Sequence, residues 1–501
     1  SAPPEEVRLN PQIRRLFLVF SFLFVALIAT ATYWLWRAPD LEARQGNPTL
    51  LVRELEIERG LILSANGRTR LAANRKRTLE DGTVWWLRRY PRGELTAHAV
   101  GYSTIGRSRT GLEKSLNDYL TASNANLSTV FDATLDKLRG IPRVGNDVVT
   151  TLDLSAQRAA AQGLAGECGA AVAIEPATGR LLALASSPSF DPNLVESDFD
   201  AIEAITAPCR PAAPLLDRAT AGRFVPGSTF KVVTAAAALD TGRYDPESTF
   251  EDPGFCTLFG QRVFNFADQS GPAVFGTVSL AEALENSVNS VFCNIGKELG
   301  ADVVLEYAKR FGFYERPPIE LPSEEVLISG LYRNGRLYDP ASASEVDPGR
   351  LAFGQERLVV TPLQMALVAA GVANRGIVME PKLVERIVSP DGDVIERFDP
   401  EEWKTAVEPR TAAELTAMMV RVVESGTGAA AQIPGISVAG KTGTAETGAA
   451  GRNNTWFIAF APADDPEVAV AVTLSDQSGT GGATAAPIAR AIMEAALGRN
   501  A

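Results

Sequence analysis

Pro226-Gly227-Ser228-Thr229-Phe230-Lys231 decides how this chain is read. The Pro-Gly pair marks a turn, and the apolar Val232, Val233, Ala236 and Leu239 behind it mark a helix. Ser228 then sits at a helix N-terminus, where the dipole favours developing negative charge. Lys231, three residues on, shares a helix face with it. A serine hydroxyl is a weak nucleophile until a base takes its proton. A lysine can be that base only with a depressed pKa, which burial by Phe230, Val232 and Val233 and a second nearby cation would supply. The plain alternative is a capped helix with a surface lysine.

Two further motifs follow in order. Ser279-Leu280-Ala281-Glu282 reads as a capping box that starts a helix, and Ser287-Val288-Asn289 interrupts that helix. The Ser287 hydroxyl can pass a proton to a leaving amine, and the Asn289 amide can bind a peptide carbonyl. Ser-x-Asn recurs at Ser64-Ala65-Asn66, and Tyr332-Arg333-Asn334 competes for the role from a loop without a helix beneath it. Lys441-Thr442-Gly443-Thr444 continues a strand. Lys441 is the candidate second cation. Gly443 lets a substrate backbone approach, the strand edge offers main-chain pairing, and Thr442 and Thr444 can hold a carboxylate. The backbone N–H groups of Ser228 and Thr444 are the expected oxyanion hole. The expected catalytic set is Ser228, Lys231, Ser287 and Lys441. Asn289, Thr442, Gly443 and Thr444 form the expected binding set. Neither a metal nor a cofactor is expected.

Composition narrows the choices. The chain has 501 residues, 46% hydrophobic and 22% charged, enough for two to four domains. A net charge of -12 and a pI of about 5.0 argue against a nucleic-acid partner. The single histidine, His98, lies far from Ser228 in sequence, which disfavours a Ser-His-Asp hydrolase and histidine-based metal sites. Cys168, Cys209, Cys256 and Cys293 permit two disulfides outside the cytosol. Cys256–Cys293 with Cys168–Cys209 is the favoured pairing. Four buried thiols are the alternative, and sequence leaves the connectivity open.

Residues 16–36, from Leu16 to Trp36, are an uncharged apolar run of 21 residues, long enough to span a bilayer. Arg8, Arg14 and Arg15 precede it, and Trp34 and Trp36 close it as interfacial aromatics. A cleaved signal peptide ending near Ala29-Thr30-Ala31 is the rival reading. The expected organisation is a cytoplasmic tail at 1–15, a membrane anchor at 16–36, a small pedestal or dimerisation-like domain at 37–148 and a catalytic domain at 149–501. Everything after the anchor is expected outside the cytoplasm. In the last region Ala170–Ile174, Leu181–Ala185, Ile436–Ala439, Trp456–Phe460 and Val468–Leu474 read as strands, with Ala486–Leu497 as an amphipathic helix. Two early and three late strands predict an α+β fold, with one five-stranded antiparallel sheet flanked by helices.

The ordered triplet Ser-x-x-Lys, Ser-x-Asn, Lys-Thr-Gly marks the serine acyl-transferases that penicillin acylates. The chain resembles class B penicillin-binding proteins, in particular their short-pedestal actinobacterial branch. The likeness runs through Arg59-Gly60, Gly111-Leu112-Glu113, Thr150-Thr151-Leu152-Asp153, Glu175 to Gly179, Arg218-Ala219, Gly354-Gln355 and Thr361 to Gln364. Departures are Leu216-Asp217 before Arg218-Ala219, and Ser64-Ala65-Asn66 at the membrane-proximal turn. The resemblance implies a serine β-lactamase-like fold and a D,D-transpeptidase that crosslinks peptidoglycan stem peptides and binds β-lactam antibiotics. It also implies a SEDS-type polytopic glycosyltransferase partner, met through anchor and pedestal. A D,D-carboxypeptidase or anchored β-lactamase is the nearest rival. A β-lactam sensor or a scaffold is the non-enzymatic one.

Overall fold

The computed structural model describes residues 11–42, 52, 54–123, 143–268, 271–446 and 452–498. Most of the expected tail, residues 1–10, lies outside them. Pro11–Glu42 is one helix, and its Gln12–Trp34 stretch has 23 residues, a mean hydropathy of 2.3 and no burial. At 1.5 Å per residue that stretch is about 35 Å long, more than a bilayer's hydrocarbon core.

The catalytic region is built on a five-stranded antiparallel sheet. Its order is Ala439–Glu446, Asn453–Ala461, Val468–Gln477, Gly169–Ile174, Leu181–Ser187. Side chains alternate between the two faces of a strand. Trp456, Ile458 and Phe460 pack into the main core with Ala170, Val172 and Ile174. Phe457, Ala459 and Ala461 join Ala171 and Ala173 in a second core on the other face. Both faces are therefore covered, which is why these strands read as unbroken apolar runs rather than as alternation.

The fully buried helix Pro362–Ala373 lies against one face, with Pro362 at its first turn and Thr361 Oγ1 accepting from Gln364 N–H at 3.1 Å. Gly481–Ala496 and Leu154–Gly163 cover the other face. The expected strand Ile436–Ala439 is displaced. Ile433 and Ile436 close a turn on Gly435 at φ +75°, and the strand begins at Ala439.

A second, six-stranded sheet has the order Val394–Arg397, Val384–Val388, Asp147–Thr150, Ile62–Leu63, Arg70–Thr78, Val84–Arg89. Four strands come from the first 150 residues and two from beyond residue 380. The pedestal and the catalytic region thus share a sheet. Cys168 is bonded to Cys209 and Cys256 to Cys293, with Cα separations of 5.9 and 6.3 Å.

Candidate active site

The three motifs converge at the free edge of the five-stranded sheet. Gly227–Phe230 forms a 3-10 turn, and the helix proper starts at Lys231. Residues i and i+3 eclipse in a 3-10 turn, so Ser228 and Lys231 project to the same side. Trp456 is fully buried and its Nε1 donates to the Val225 carbonyl at 2.9 Å, pinning the chain that enters the turn. Phe224 meets the same ring edge-on at 5.7 Å. Gly227 N–H donates to the Gly354 carbonyl at 3.1 Å, which gives the Gly354-Gln355 pair its place behind the turn.

Glycines join the first motif to the third. A Cβ on Gly443 would lie 2.9 Å from Thr229 Cγ2 and 3.0 Å from the Pro226 carbonyl. A Cβ on Gly227, at φ +53°, would lie 3.0 Å from the Thr444 carbonyl. The backbones of the Ser228 turn and the Lys-Thr-Gly strand are therefore in direct contact. Ser228 is half-buried, and its Oγ has no hydrogen-bond partner among the described residues.

The capping box at Ser279 and Glu282 is present, and the helix Leu280–Glu285 ends two residues before Ser287. Ser287 takes φ +58°, a left-handed conformation that is uncommon and costly for a residue with a Cβ. The next helix begins at Asn289. This break aims Ser287 and Asn289 at Lys231. Lys231 Nζ donates to the Ser287 carbonyl at 2.6 Å, to Asn289 Oδ1 at 2.7 Å and to Ser287 Oγ at 3.3 Å. Lys441 Nζ donates to Ser287 Oγ at 2.9 Å and to the Thr442 carbonyl at 3.0 Å. The Tyr332-Arg333-Asn334 alternative lies elsewhere, in a hairpin whose Tyr332 hydroxyl donates to the Ile328 carbonyl.

Both lysines are fully buried. Burial, joined by repulsion from Lys441, holds Lys231 well below the usual lysine range. Burial pushes Lys441 down to about 7. Burial is thus the main cause for both, with the second cation adding to it at Lys231. A neutral Lys231 amine keeps two hydrogens for the two carbonyl oxygens and presents its lone pair to a hydroxyl. Near neutral pH the pair can hold one proton between them, with Ser287 Oγ in the path.

Two groups the motifs did not reveal complete the site. Thr427 Oγ1 lies 2.7 Å from Thr442 Oγ1, at the end of Ser425-Gly426-Thr427. Two glycines flank Thr427, a weak turn signal and the only hint in the sequence. Asp252 is buried and accepts from Gly254 N–H at 2.8 Å, Phe275 N–H at 2.9 Å and the Ser290 hydroxyl, anchoring the helix that starts at Asn289. Asn289 Nδ2 donates to the Phe264 carbonyl at 3.1 Å. His98 is buried far from this chemistry, stacked edge-on with Phe190 and 2.9 Å from the Pro214 carbonyl.

The family model of the penicillin binding protein transpeptidase domain matches residues 169–494, and that of the penicillin binding protein A dimerisation domain matches 59–148. The peptidoglycan D,D-transpeptidase PbpA of Mycolicibacterium smegmatis is 38% identical over 510 residues, covering 98% of this chain and 99% of that protein. The chain belongs to the penicillin-binding protein transpeptidase family.

The ceftriaxone acyl-enzyme of penicillin-binding protein A from M. tuberculosis superposes on this penicillin-binding protein with a TM-score of 0.78 at 35% identity, over 89% of this chain and 100% of that one. The imipenem acyl-enzyme of the same mycobacterial protein gives 0.77 at 36% identity, over 89% and 99%. The penicillin-binding protein has an acidic residue, Asp217, before Arg218-Ala219. Its carboxylate accepts from the Ser186 hydroxyl at 2.7 Å and from Ala219 N–H at 2.9 Å, so that departure serves packing beside the sheet.

Proposed function

We propose that this peptidoglycan D,D-transpeptidase works through an acyl-enzyme on Ser228. The observation that carries the reading is the Ser287 hydroxyl held between two buried, pKa-depressed lysines beside the Ser228 turn. Neutral Lys231 removes the Ser228 proton as Oγ attacks the penultimate D-Ala carbonyl of a stem peptide. The oxyanion forms against the N–H groups of Ser228 and Thr444. Ser287 passes the proton to the departing terminal D-Ala. The amine of a second stem peptide then attacks the ester, and the same groups run in reverse. Asn289 holds the donor backbone, Gly443 admits it to the strand edge, and Thr442, Thr444 and Lys441 hold the terminal carboxylate. A β-lactam takes the place of the donor and stays attached.

The division into tail (1–15), anchor (16–36), pedestal (37–148) and catalytic domain (149–501) is part of the proposal. So are an extracytoplasmic catalytic domain and a SEDS-type glycan polymerase as partner. The apolar N-terminal helix supports the anchor, and the match to a dimerisation domain at 59–148 supports the pedestal.

The test is a donor stem peptide ending in D-Ala-D-Ala, with and without an acceptor amine. Crosslinked product with release of D-Ala supports transpeptidation. Hydrolysed donor as the sole product, with acceptor present, turns the reading to a carboxypeptidase.

A further inference from the structure

Thr442 and Thr444 lie two positions apart on the edge strand Ala439–Glu446, so their side chains share one face. A threonine hydroxyl has one proton to donate and two lone pairs. To bind a carboxylate it must spend that proton on the ligand, so its neighbours in the protein have to be donors. Thr444 meets this condition, because its Oγ1 accepts from Gly481 N–H at 3.3 Å. Thr442 depends on a second hydroxyl. Its Oγ1 lies 3.4 Å from Lys441 Nζ, a donor, and 2.7 Å from Thr427 Oγ1, which can act either way. With Thr427 as acceptor, the Thr442 proton would be consumed inside the protein.

The surroundings of Thr427 decide the direction. Its hydroxyl has one other acceptor among the described residues, the Glu285 carbonyl, at 3.5 Å and shared with Thr427 N–H at 3.4 Å. Hydroxyl bonds ordinarily measure about 2.7–2.8 Å, so Thr442 Oγ1 is the better acceptor. The Thr427 proton goes to Thr442 Oγ1, and the Thr442 proton is left for a ligand. The loop around Thr427 is braced for this contact. A Cβ on Gly482, at the start of the last helix, would lie 2.2 Å from the Thr427 carbonyl. Gly428 N–H donates to the Val422 carbonyl at 2.8 Å. Ser425 Oγ and Arg421 Nη2 reach the Glu285 carboxylate at 2.7 and 2.8 Å. Glu285 stands two residues before Ser287, so this clamp keys the Thr427 loop to the turn that carries Ser287. Thr427 itself is exposed, whereas Thr442 is 6% exposed.

We propose that Thr427 is a positioning residue for the substrate carboxylate. Its hydroxyl donates to Thr442 Oγ1 and turns the Thr442 proton outward, to the terminal carboxylate of a stem peptide or to the carboxylate of a β-lactam. This rests on the reading of Thr442, Thr444 and Lys441 as the carboxylate site.

The test is the second-order acylation rate of the full chain in detergent, with benzylpenicillin and with its methyl ester. The proteins are wild type, Thr427→Val, Thr427→Ser, Thr442→Val and the Thr427→Val, Thr442→Val double variant. Valine keeps the branched shape and removes the hydroxyl. Thr427→Val should slow the acid about tenfold more than the ester, and Thr427→Ser should restore the acid rate. In a Thr442→Val protein the further Thr427→Val change should cost nothing more, since the proton it orients is gone. Equal slowing of acid and ester would make Thr427 a structural residue and overturn the proposal. So would an unchanged acid rate in Thr427→Val. Full additivity with Thr442→Val would overturn it too, by placing Thr427 in its own contact with the carboxylate. A wild type that takes acid and ester at the same rate would overturn the carboxylate site and this proposal with it, while the mass of the Ser228 adduct would still report the acyl-enzyme.

Discussion

Lys441 Nζ donates to Ser287 Oγ at 2.9 Å, joining residues that lie 154 positions apart. Lys231 reaches the same oxygen from the other side at 3.3 Å. Ser287→Ala removes the bridge and leaves both lysines in place. It should slow penicillin acylation by about 10²–10⁴-fold, the usual worth of a positioned proton-transfer group. Lys231→Met should cost at least as much. Labelling rates with a fluorescent penicillin measure both. A Ser287→Ala protein acylated at the wild-type rate would remove Ser287 from the proton path.

The two lysines also set a pH profile. In the proposed mechanism a neutral Lys231 accepts the proton, and its pKa is held well below the usual range by burial and by Lys441. In the proposed mechanism a charged Lys441 holds the substrate carboxylate, and its pKa is about 7. Acylation kcat/KM, which reports the free enzyme, should therefore fall as pH rises through about 7. A β-lactam esterified at its carboxylate should lose that alkaline limb. Parallel profiles for acid and ester would refute the assignment of Lys441.

Gly443→Ala places a methyl 2.9 Å from Thr229 Cγ2 and 3.0 Å from the Pro226 carbonyl. The cost of overpacking is about 1–3 kcal/mol. The strain falls on the Ser228 turn, so acylation should slow as the Tm falls. An unchanged Tm with unchanged acylation would show that the two backbones are not in contact.

Glu325 couples the pedestal to the catalytic region, accepting from Gly111 N–H at 3.0 Å. Burial, aided by Asp217, pushes its pKa from 4.5 up to about 7. A carboxyl raised in the folded state holds its proton longer there than when unfolded. Its contribution is complete below the unfolded pKa and is lost as pH climbs through the folded one. Chemical denaturation should therefore show stability declining between about pH 4.5 and 7. Glu325→Gln should flatten that slope. An unaltered slope would place the titration elsewhere.

The Cys256–Cys293 bond ties the hairpin strand Phe255–Leu258 to the helix that starts at Asn289. It closes a loop of 37 residues, worth about 2–4 kcal/mol by chain entropy. A Cys256→Ser, Cys293→Ser double variant should lose about that much on denaturation. Because Asn289 Nδ2 bonds the Phe264 carbonyl of the same hairpin, its KM for a donor peptide should rise more than its kcat falls.

The catalytic sheet was legible because its strands are apolar on both faces, as in Gly169–Ile174, and because Ser279 and Glu282 form a local cap. Local signals failed where pairing is long-range. Strands at Val384–Val388 and Val394–Arg397 complete a sheet begun more than 300 residues earlier, at Ile62. Apolarity misled at Ile436. The true edge strand carries polar Lys441 and Thr442, buried by the site rather than by hydrophobic demand. The motifs named Ser228, Lys231, Ser287 and Lys441. Nothing in their spacing revealed Thr427 or Asp252, which enter through contacts with Thr442 and Ser290. The positive φ of Ser287 was likewise hidden, since serine carries no signal for a left-handed backbone.

The most direct test of the account is intact mass after incubation with benzylpenicillin, for wild type and Ser228→Ala. A stable adduct of the antibiotic's mass is expected on wild type, mapped to the Ser228 peptide, and none on the variant. An adduct on both proteins, or an unmodified wild type that destroys the antibiotic, would contradict it.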